Sequence, residues 1–361
     1  MRHQHGGDIY TDHIRIDFST NINPFGPSKG VLEAAAKSLA SIGCYPDVMC
    51  RKLGKALAES IHVPEEQLIF GNGAADIIYS LVTAVKPGKA LLLAPSFSEY
   101  EQALKAAGCR IEYYQLKEET GFALSGAYVE ALTEELDMIF LCSPHNPTGR
   151  KIEKVLLEQI LDRCRELGIR MVLDECFYEF LEEPDRCTMQ ENIKGAPQLF
   201  LLRAFTKMYA MPGLRLGYGI SSDQELLEQI GLVRQPWSVS NVAQAAGIAA
   251  LKEPDRAAMT RAYIKEERRW MEERLLELGV ICYPSDANYM LVKGPRDLGE
   301  QLKRQGILIR DCQNYRGLEP GYYRIAVKRR EENEELIKAL GLLRMNRLTD
   351  GKEEKEWQDR S

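Results

Sequence analysis

The feature that most constrains this chain is an alternation of short apolar runs with longer amphipathic stretches. The runs are Gln67–Phe70, Ala90–Ala94, Arg110–Gln115, Met138–Cys142, Arg170–Leu173, Leu199–Arg203 and Leu214–Ile220. Each has strand length, while the segments between several of them, such as Glu99–Ala107 and Glu153–Leu167, carry helical spacing. Strands separated by helices need crossover connections, which favour a largely parallel sheet buried on both faces. The pattern predicts an α/β core of seven strands with helices on both sides.

After Gln235-Pro236-Trp237 the texture changes. Long helical stretches, Asn241–Lys252 and Asp255–Leu278, give way to strand-like runs at Val280–Tyr283, Tyr289–Val292, Ile307–Ile309 and Tyr322–Val327. A smaller α+β unit fits this segment. The stretch before Gly43 begins as loop, with Asn23-Pro24 and Gly26-Pro27. The expected division is an N-terminal arm with part of the small domain (1–42), a large domain (43–240), an interdomain helix with the C-terminal small domain (241–348), and a charged tail (349–361). A chain of 361 residues, 45% hydrophobic, can bury one large core and a second small one.

Charge and composition exclude several classes. The net charge of -6 is spread along the chain, so nothing advertises nucleic acid or a membrane surface. No apolar run approaches membrane-spanning length. Nine cysteines without a C-x-x-C pair and five histidines without H-E-x-x-H disfavour a disulfide framework and a metal site. Met1–Asp8 is polar where a signal peptide would need an apolar core. The expectation is a reduced, cytoplasmic setting.

Several strand ends carry candidate chemistry. Phe70-Gly71-Asn72-Gly73-Ala74-Ala75-Asp76 follows a strand and opens a helix, expected over Ile77–Val85, whose free backbone N–H groups suit an anion. Ala204-Phe205-Thr206-Lys207, followed by Gly213-Leu214-Arg215-Leu216-Gly217, sets a hydroxyl beside a lysine, with an arginine eight residues further on. Lys207 can serve as a nucleophilic amine with its pKa depressed by burial and nearby cations, while Thr206 and Arg215 can hold a phosphate. Asp174 ends a strand at the edge where ligands gather in open α/β sheets, although a turn or N-cap aspartate reads the same way in isolation. Ser143-Pro144-His145-Asn146-Pro147-Thr148-Gly149 is turn chemistry with a free amide at Asn146, and Pro95-Ser96-Phe97 places an aromatic after a strand.

The order G-N-G-A, P-S-F, H-N-P-T-G, D-E, T-K and G-L-R-L-G resembles fold-type-I pyridoxal-5′-phosphate (PLP) enzymes, close to histidinol-phosphate aminotransferases. Further segments are similar to the L-threonine O-3-phosphate decarboxylases of cobalamin biosynthesis. These are His5-Gly6-Gly7-Asp8, Asp17-Phe18-Ser19-Thr20-Asn21-Ile22-Asn23-Pro24, Tyr45-Pro46-Asp47, Gln235-Pro236-Trp237-Ser238-Val239, Ile307-Leu308-Ile309-Arg310 and Tyr322-Tyr323-Arg324. The resemblance spans about His5 to Leu340 and implies an aspartate-aminotransferase-like fold.

It also implies roles. Lys207 carries the cofactor, Asp174 pairs with its pyridine nitrogen, Asn146 meets its ring hydroxyl and Phe97 stacks on the ring. The cofactor phosphate falls to the backbone of Gly73, Ala74 and Ala75, to Thr206 and to Arg215, with Tyr45 supplied by the other subunit of a homodimer. Arg310 and Arg324 hold the substrate carboxylate, and His5 and Asn21 lie near the phosphate of a small phosphorylated amino acid. Phe177 departs from the family's frequent tyrosine, Ala204 from a hydroxyl residue, His145 from asparagine, and Ala75-Asp76 from more polar choices. Decarboxylation is the first reading, transamination of a histidinol-phosphate type the second, and a non-catalytic ligand-binding protein of the same fold the third.

Overall fold

The computed structural model describes residues 5–349; the charged stretch from 350 onward lies outside them. In chain order, strand β1 (Ile16–Asp17) precedes helices α1 (Lys29–Ser38) and α2 (Arg51–Ile61). Then come β2 (Leu68–Asn72), α3 (Gly73–Val85), β3 (Lys89–Ala94), α4 (Ser98–Ala106), β4 (Arg110–Gln115), the one-turn α5 (Ala127–Glu130) and β5 (Met138–Cys142). They are followed by α6 (Lys154–Leu167), β6 (Arg170–Asp174), the short α7 (Pro184–Cys187), β7 (Leu199–Ala204) and β8 (Leu216–Ile220). The remainder is α8 (Gln224–Val233), α9 (Asn241–Ala250), α10 (Pro254–Glu277), β9 (Ile281–Cys282), β10 (Tyr289–Lys293), α11 (Leu298–Arg304), β11 (Ile307–Leu308), β12 (Arg310–Asp311), β13 (Tyr322–Ala326) and α12 (Arg330–Thr349).

All seven expected strands form, and they join one sheet in the order β2-β8-β7-β6-β5-β3-β4. Pairing is parallel except at β8, which runs antiparallel to both β2 and β7. The strands are apolar on consecutive residues because both faces are covered. In β5, Met138 and Phe140 pack into one layer while Ile139 and Leu141 pack into the opposite one. Leu199 and Leu201 against Phe200 and Leu202 repeat the division in β7. One consequence of this order matters for chemistry: the carboxyl ends of β2, β3, β5, β6 and β7 all open on the same edge.

A second, antiparallel sheet has the order β12-β13-β10-β9, and β1 pairs in parallel with β11. Its core holds Ile264, Met271 and Leu275 of α10 against Met290, Val292, Ile325 and Val327. β1 therefore returns the N-terminal arm to the C-terminal part of the chain. The helix after β2 starts at Gly73, four residues before the expected Ile77. Asp76 explains the early start, since its carboxylate reaches back to accept from the Asn72 N–H at 2.8 Å, closing the first turn. Among the described residues no helix is long and apolar enough to cross a membrane, and no cluster of ligating side chains could hold a metal ion.

Candidate active site

Where the strand ends converge lies a cavity of about 500 Å³. Lys207, Asp174, Asn146, Phe97, Ala74, Ala75, Thr206, Arg215, His5, Asn21, Arg310 and Arg324 all line it. Residues up to 319 positions apart in sequence meet there, from the strand ends of the large sheet, from β12 and β13 of the smaller sheet and from the N-terminal arm. Gly73 borders the site behind Arg215, while Tyr45 does not reach the cavity of its own chain. Tyr45 is 80% exposed and stacks on Trp237 with ring centroids 4.6 Å apart.

One end is built for an anion. Ala74 and Ala75, in the first turn of α3 where backbone N–H groups lack intrahelical acceptors, line this end together with Arg215 and buried Thr206. Arg215 holds left-handed backbone geometry at φ 56°, a cost that persists at functional positions. Gly73 sits at φ 79°, which strains any other residue, and a Cβ there would displace the Arg215 guanidinium.

The centre pairs an amine with a carboxyl group. Lys207 is half-buried in the cavity wall and its amine falls to about 8, chiefly through burial and then through the neighbouring charges of Arg324 and Arg215. Its Nζ lies 5.5 Å from the centroid of Phe177. Asp174 is pushed up from the usual carboxylate range by burial, against the opposing hydrogen bonds of Cys176 and Tyr100. Oδ1 accepts from the Cys176 N–H at 2.8 Å and Oδ2 from the Tyr100 hydroxyl at 2.5 Å.

The far wall comes from the smaller sheet and the N-terminal arm. Arg310 and Arg324 stand directly opposite each other on β12 and β13. Like charges opposed across a ladder are destabilising unless an anion lies between or beside them. Arg324 donates from Nη1 to Asn146 Oδ1 at 2.5 Å and from Nη2 to the Ser19 carbonyl at 2.8 Å. Arg310 donates to Asn314 Oδ1 at 2.9 Å. Arg324 Nε and Asn21 Oδ1 are buried without a hydrogen-bond partner. The arm is tied down where Gly7 N donates to Ser19 Oγ at 2.7 Å, and His5 Nε2 lies 3.1 Å from Glu99 Oε1.

PLP fits these groups: an anion cradle, an amine of lowered basicity and a buried carboxyl group that needs a cationic partner. Phe177 carries no hydroxyl, and its ring packs edge-on to Tyr289 at 5.0 Å. His145 is buried, held by Thr148 Oγ1 at 2.9 Å, and lowered to about 4 by burial, so it is neutral at pH 7. Cavity residues outside the sequence expectations include Thr20, Ile78, Glu99, Cys142, Cys176 and Tyr315. Behind the wall, Tyr100 also escaped notice, although its position three residues after Phe97 is a usable signal. That spacing brings the two rings edge to face at 5.5 Å.

Comparison with known proteins follows the same lines. The family description "Aminotransferase class I and II" matches residues 13–340. A threonine-phosphate decarboxylase of Salmonella typhimurium is 40% identical over 329 residues, covering 90% of each chain. The crystal structure of a histidinol-phosphate aminotransferase from Clostridium acetobutylicum superposes with a TM-score of 0.86 at 30% identity, covering 92% of this chain and 99% of the other. An L-threonine-O-3-phosphate decarboxylase structure from Porphyromonas gingivalis superposes with a TM-score of 0.82 at 27% identity, covering 91% and 99%. The aspartate-aminotransferase-like architecture expected from the sequence is the one observed.

Proposed function

We propose, from the premise that the chain belongs to the aminotransferase class I and II family, that it is a PLP-dependent enzyme that removes the carboxylate of L-threonine O-3-phosphate, or of L-serine O-phosphate, as CO2 in cobalamin biosynthesis. The observation that carries this reading is the opposed pair Arg310 and Arg324 in one cavity with Lys207, Asp174 and the folded-in His5. With Arg215 assigned to the cofactor phosphate, two arginines and a histidine remain for a substrate with two anionic ends. Histidinol phosphate has a single anionic end, a phosphate ester on the carbon that would be the carboxylate, so on its own it uses fewer of these groups. The identity to a decarboxylase over most of the chain supports the same choice.

Bound at this site, PLP supplies an electron sink for the charge released at the substrate Cα. With PLP bound, Lys207 would anchor it and would be placed to hold a proton at Nζ for the substrate Cα. Asp174 would hold a proton at the ring nitrogen, Phe97 would pack against the ring, and Asn146 would donate to the ring oxygen. Thr206, Arg215 and the N–H groups of Gly73, Ala74 and Ala75 take the cofactor phosphate. Arg310 and Arg324 orient the carboxylate while His5 and Asn21 meet the substrate phosphate, and that orientation selects which bond at Cα breaks. The Cα–carboxylate bond breaks, CO2 leaves and a proton takes its place, yielding a phosphorylated amino alcohol.

The proposed assembly is a homodimer in which Tyr45 reaches the partner's cofactor phosphate. Exposed Leu39, Ile42, Tyr45, Met49 and Trp237 supply the apolar surface for it, and sedimentation at micromolar concentration tests it. The proposed division at residues 43 and 241 is supported by the seven strands lying within 68–220 and the four-stranded sheet within 281–326. A cytoplasmic setting is supported by the free thiols of all nine cysteines.

The second reading is a histidinol-phosphate-type aminotransferase, favoured by the TM-score of 0.86 to such a structure. One assay separates the two. Holoenzyme with L-threonine O-3-phosphate should release CO2 in step with amino-alcohol phosphate. Glutamate formed from histidinol phosphate and 2-oxoglutarate, without CO2 from threonine phosphate, selects the second reading.

A further inference from the structure

Tyr100 sits behind the cavity wall on α4, yet it binds the carboxylate on which the cofactor ring depends. Its hydroxyl donates to Asp174 Oδ2 at 2.5 Å, while Oδ1 is held by the Cys176 N–H at 2.8 Å. Donors from two separate elements thus fix both oxygens, and with them the plane of the carboxylate. Only 1% of the Tyr100 surface is exposed. Its ring lies flat on Phe140 at 4.9 Å and edge-on to Phe97 at 5.5 Å, so the hydroxyl has no freedom to turn elsewhere.

We propose that Tyr100 is a positioning residue for the nitrogen end of the PLP ring, holding Asp174 ionised and aimed so that the ring nitrogen stays protonated. The inference rests on the proposed cofactor chemistry and adds to it a residue that touches neither cofactor nor substrate. Burial alone drives Asp174 toward the neutral acid, and a neutral acid cannot hold a proton on a pyridine nitrogen. A donor on Oδ2 opposes that drift, because hydrogen bonds to an ion are stronger than those to its neutral form.

Of the other groups facing Asp174, the Cys176 side chain also hydrogen-bonds the carboxylate, but a thiol is a weak donor beside a phenol. Burial pushes the Cys142 and Cys176 thiols and the Tyr289 phenol up, so all three stay neutral near pH 7. Glu175 is committed to Arg203 at 2.7 Å, and Lys207 approaches from the cavity side. The Tyr100 phenol is itself pushed up by burial and by Asp174, so it remains a donor throughout the working range.

The test is Tyr100→Phe, which removes one oxygen and keeps the ring contacts, with thermal unfolding of the cofactor-free protein as the check on folding. The acid limb of the kcat profile, and of the bound cofactor's absorbance, should move up by about one pH unit, with cofactor affinity falling about tenfold. In an Asp174→Asn background the same change should shift neither. Fluorotyrosine at position 100, a stronger donor, should move the limb the other way, and it serves if the phenylalanine variant does not fold. A limb that stays in place in both variants overturns the inference and leaves the proposed function standing. Wild-type protein that binds no PLP overturns both.

Discussion

Arg324 decides which way the Asn146 amide faces. Its Nη1 lies 2.5 Å from Asn146 Oδ1, and the Tyr315 hydroxyl approaches the same oxygen at 3.5 Å. The carbonyl end is thereby occupied, and Nδ2 is left as the donor for the proposed contact to the ring oxygen. Arg324→Lys keeps the charge but loses the fork that reaches Asn146 and the Ser19 carbonyl together. Catalytic efficiency toward threonine phosphate should fall about a hundredfold, the equivalent of losing about two charge-assisted hydrogen bonds. Most of that loss should appear in KM, measured by CO2 release over a substrate series.

Next to Asp174, Glu175 and Arg203 form an ion pair withdrawn from solvent, with side chains 2% and 1% exposed. Thr188 Oγ1 and Met189 N complete the carboxylate, and Gln190 Oε1 takes another guanidinium donor at 2.8 Å. Removing one partner strands a buried charge, so Arg203→Met should destabilise the protein by about 3–5 kcal/mol. Arg203→Met with Glu175→Gln should recover a large part of the loss. Urea unfolding of the cofactor-free proteins measures both, and equal stabilities for single and double variants would contradict the account.

Asn23 joins three parts of the chain beneath the lysine. Its N–H donates to the Lys207 carbonyl at 3.1 Å, and its Nδ2 to the Met208 carbonyl at 2.8 Å and Thr260 Oγ1 at 3.0 Å. Asn23→Ala leaves two buried acceptors unpaired, at about 1–3 kcal/mol for each unpaired group. A lower melting temperature and faster loss of PLP on dialysis are the expected results. Asn23→Asp should not rescue either, since a carboxylate has no proton to donate to the Met208 carbonyl.

Much of the large sheet was legible in the sequence because burial on both faces leaves uninterrupted apolar runs such as Met138–Cys142. Their ends locate Asn146, Asp174 and Lys207 as soon as the sheet is taken as parallel. Other parts depend on distances that the linear chain does not carry. Tyr100 and Asp174 are 74 residues apart, and they meet because α4 packs on β3 and β4 while the Tyr100 ring reaches across Phe140 of β5 to the end of β6. Arg310 follows the strand-like run Ile307–Ile309 and Arg324 sits in another, but their opposition is a matter of register. α2 is hard to foresee for a local reason, because it begins after Cys50 in left-handed geometry without a side-chain cap. The start of α3 at Gly73 depends on Asp76 turning back to Asn72, a contact that the turn residues alone did not announce.

Lys207 should make the cofactor-free protein less stable than a variant without the amine, with a definite pH dependence. Its amine is lowered to about 8 in the folded state from an ordinary 10.5, so the unfolded chain binds the additional proton between those values. Below about pH 8 both states are protonated and the folded state bears the full cost of a buried charge. As pH rises toward 10.5 the folded amine is already neutral, and the cost fades. Lys207→Met should therefore stabilise the cofactor-free protein at pH 7 by about 2 kcal/mol, allowing for solvent screening in the open cavity. The advantage should narrow by pH 9.5 in paired denaturant titrations. An advantage that grows with pH would mean that burial and the charges of Arg324 and Arg215 do not act on this amine as described.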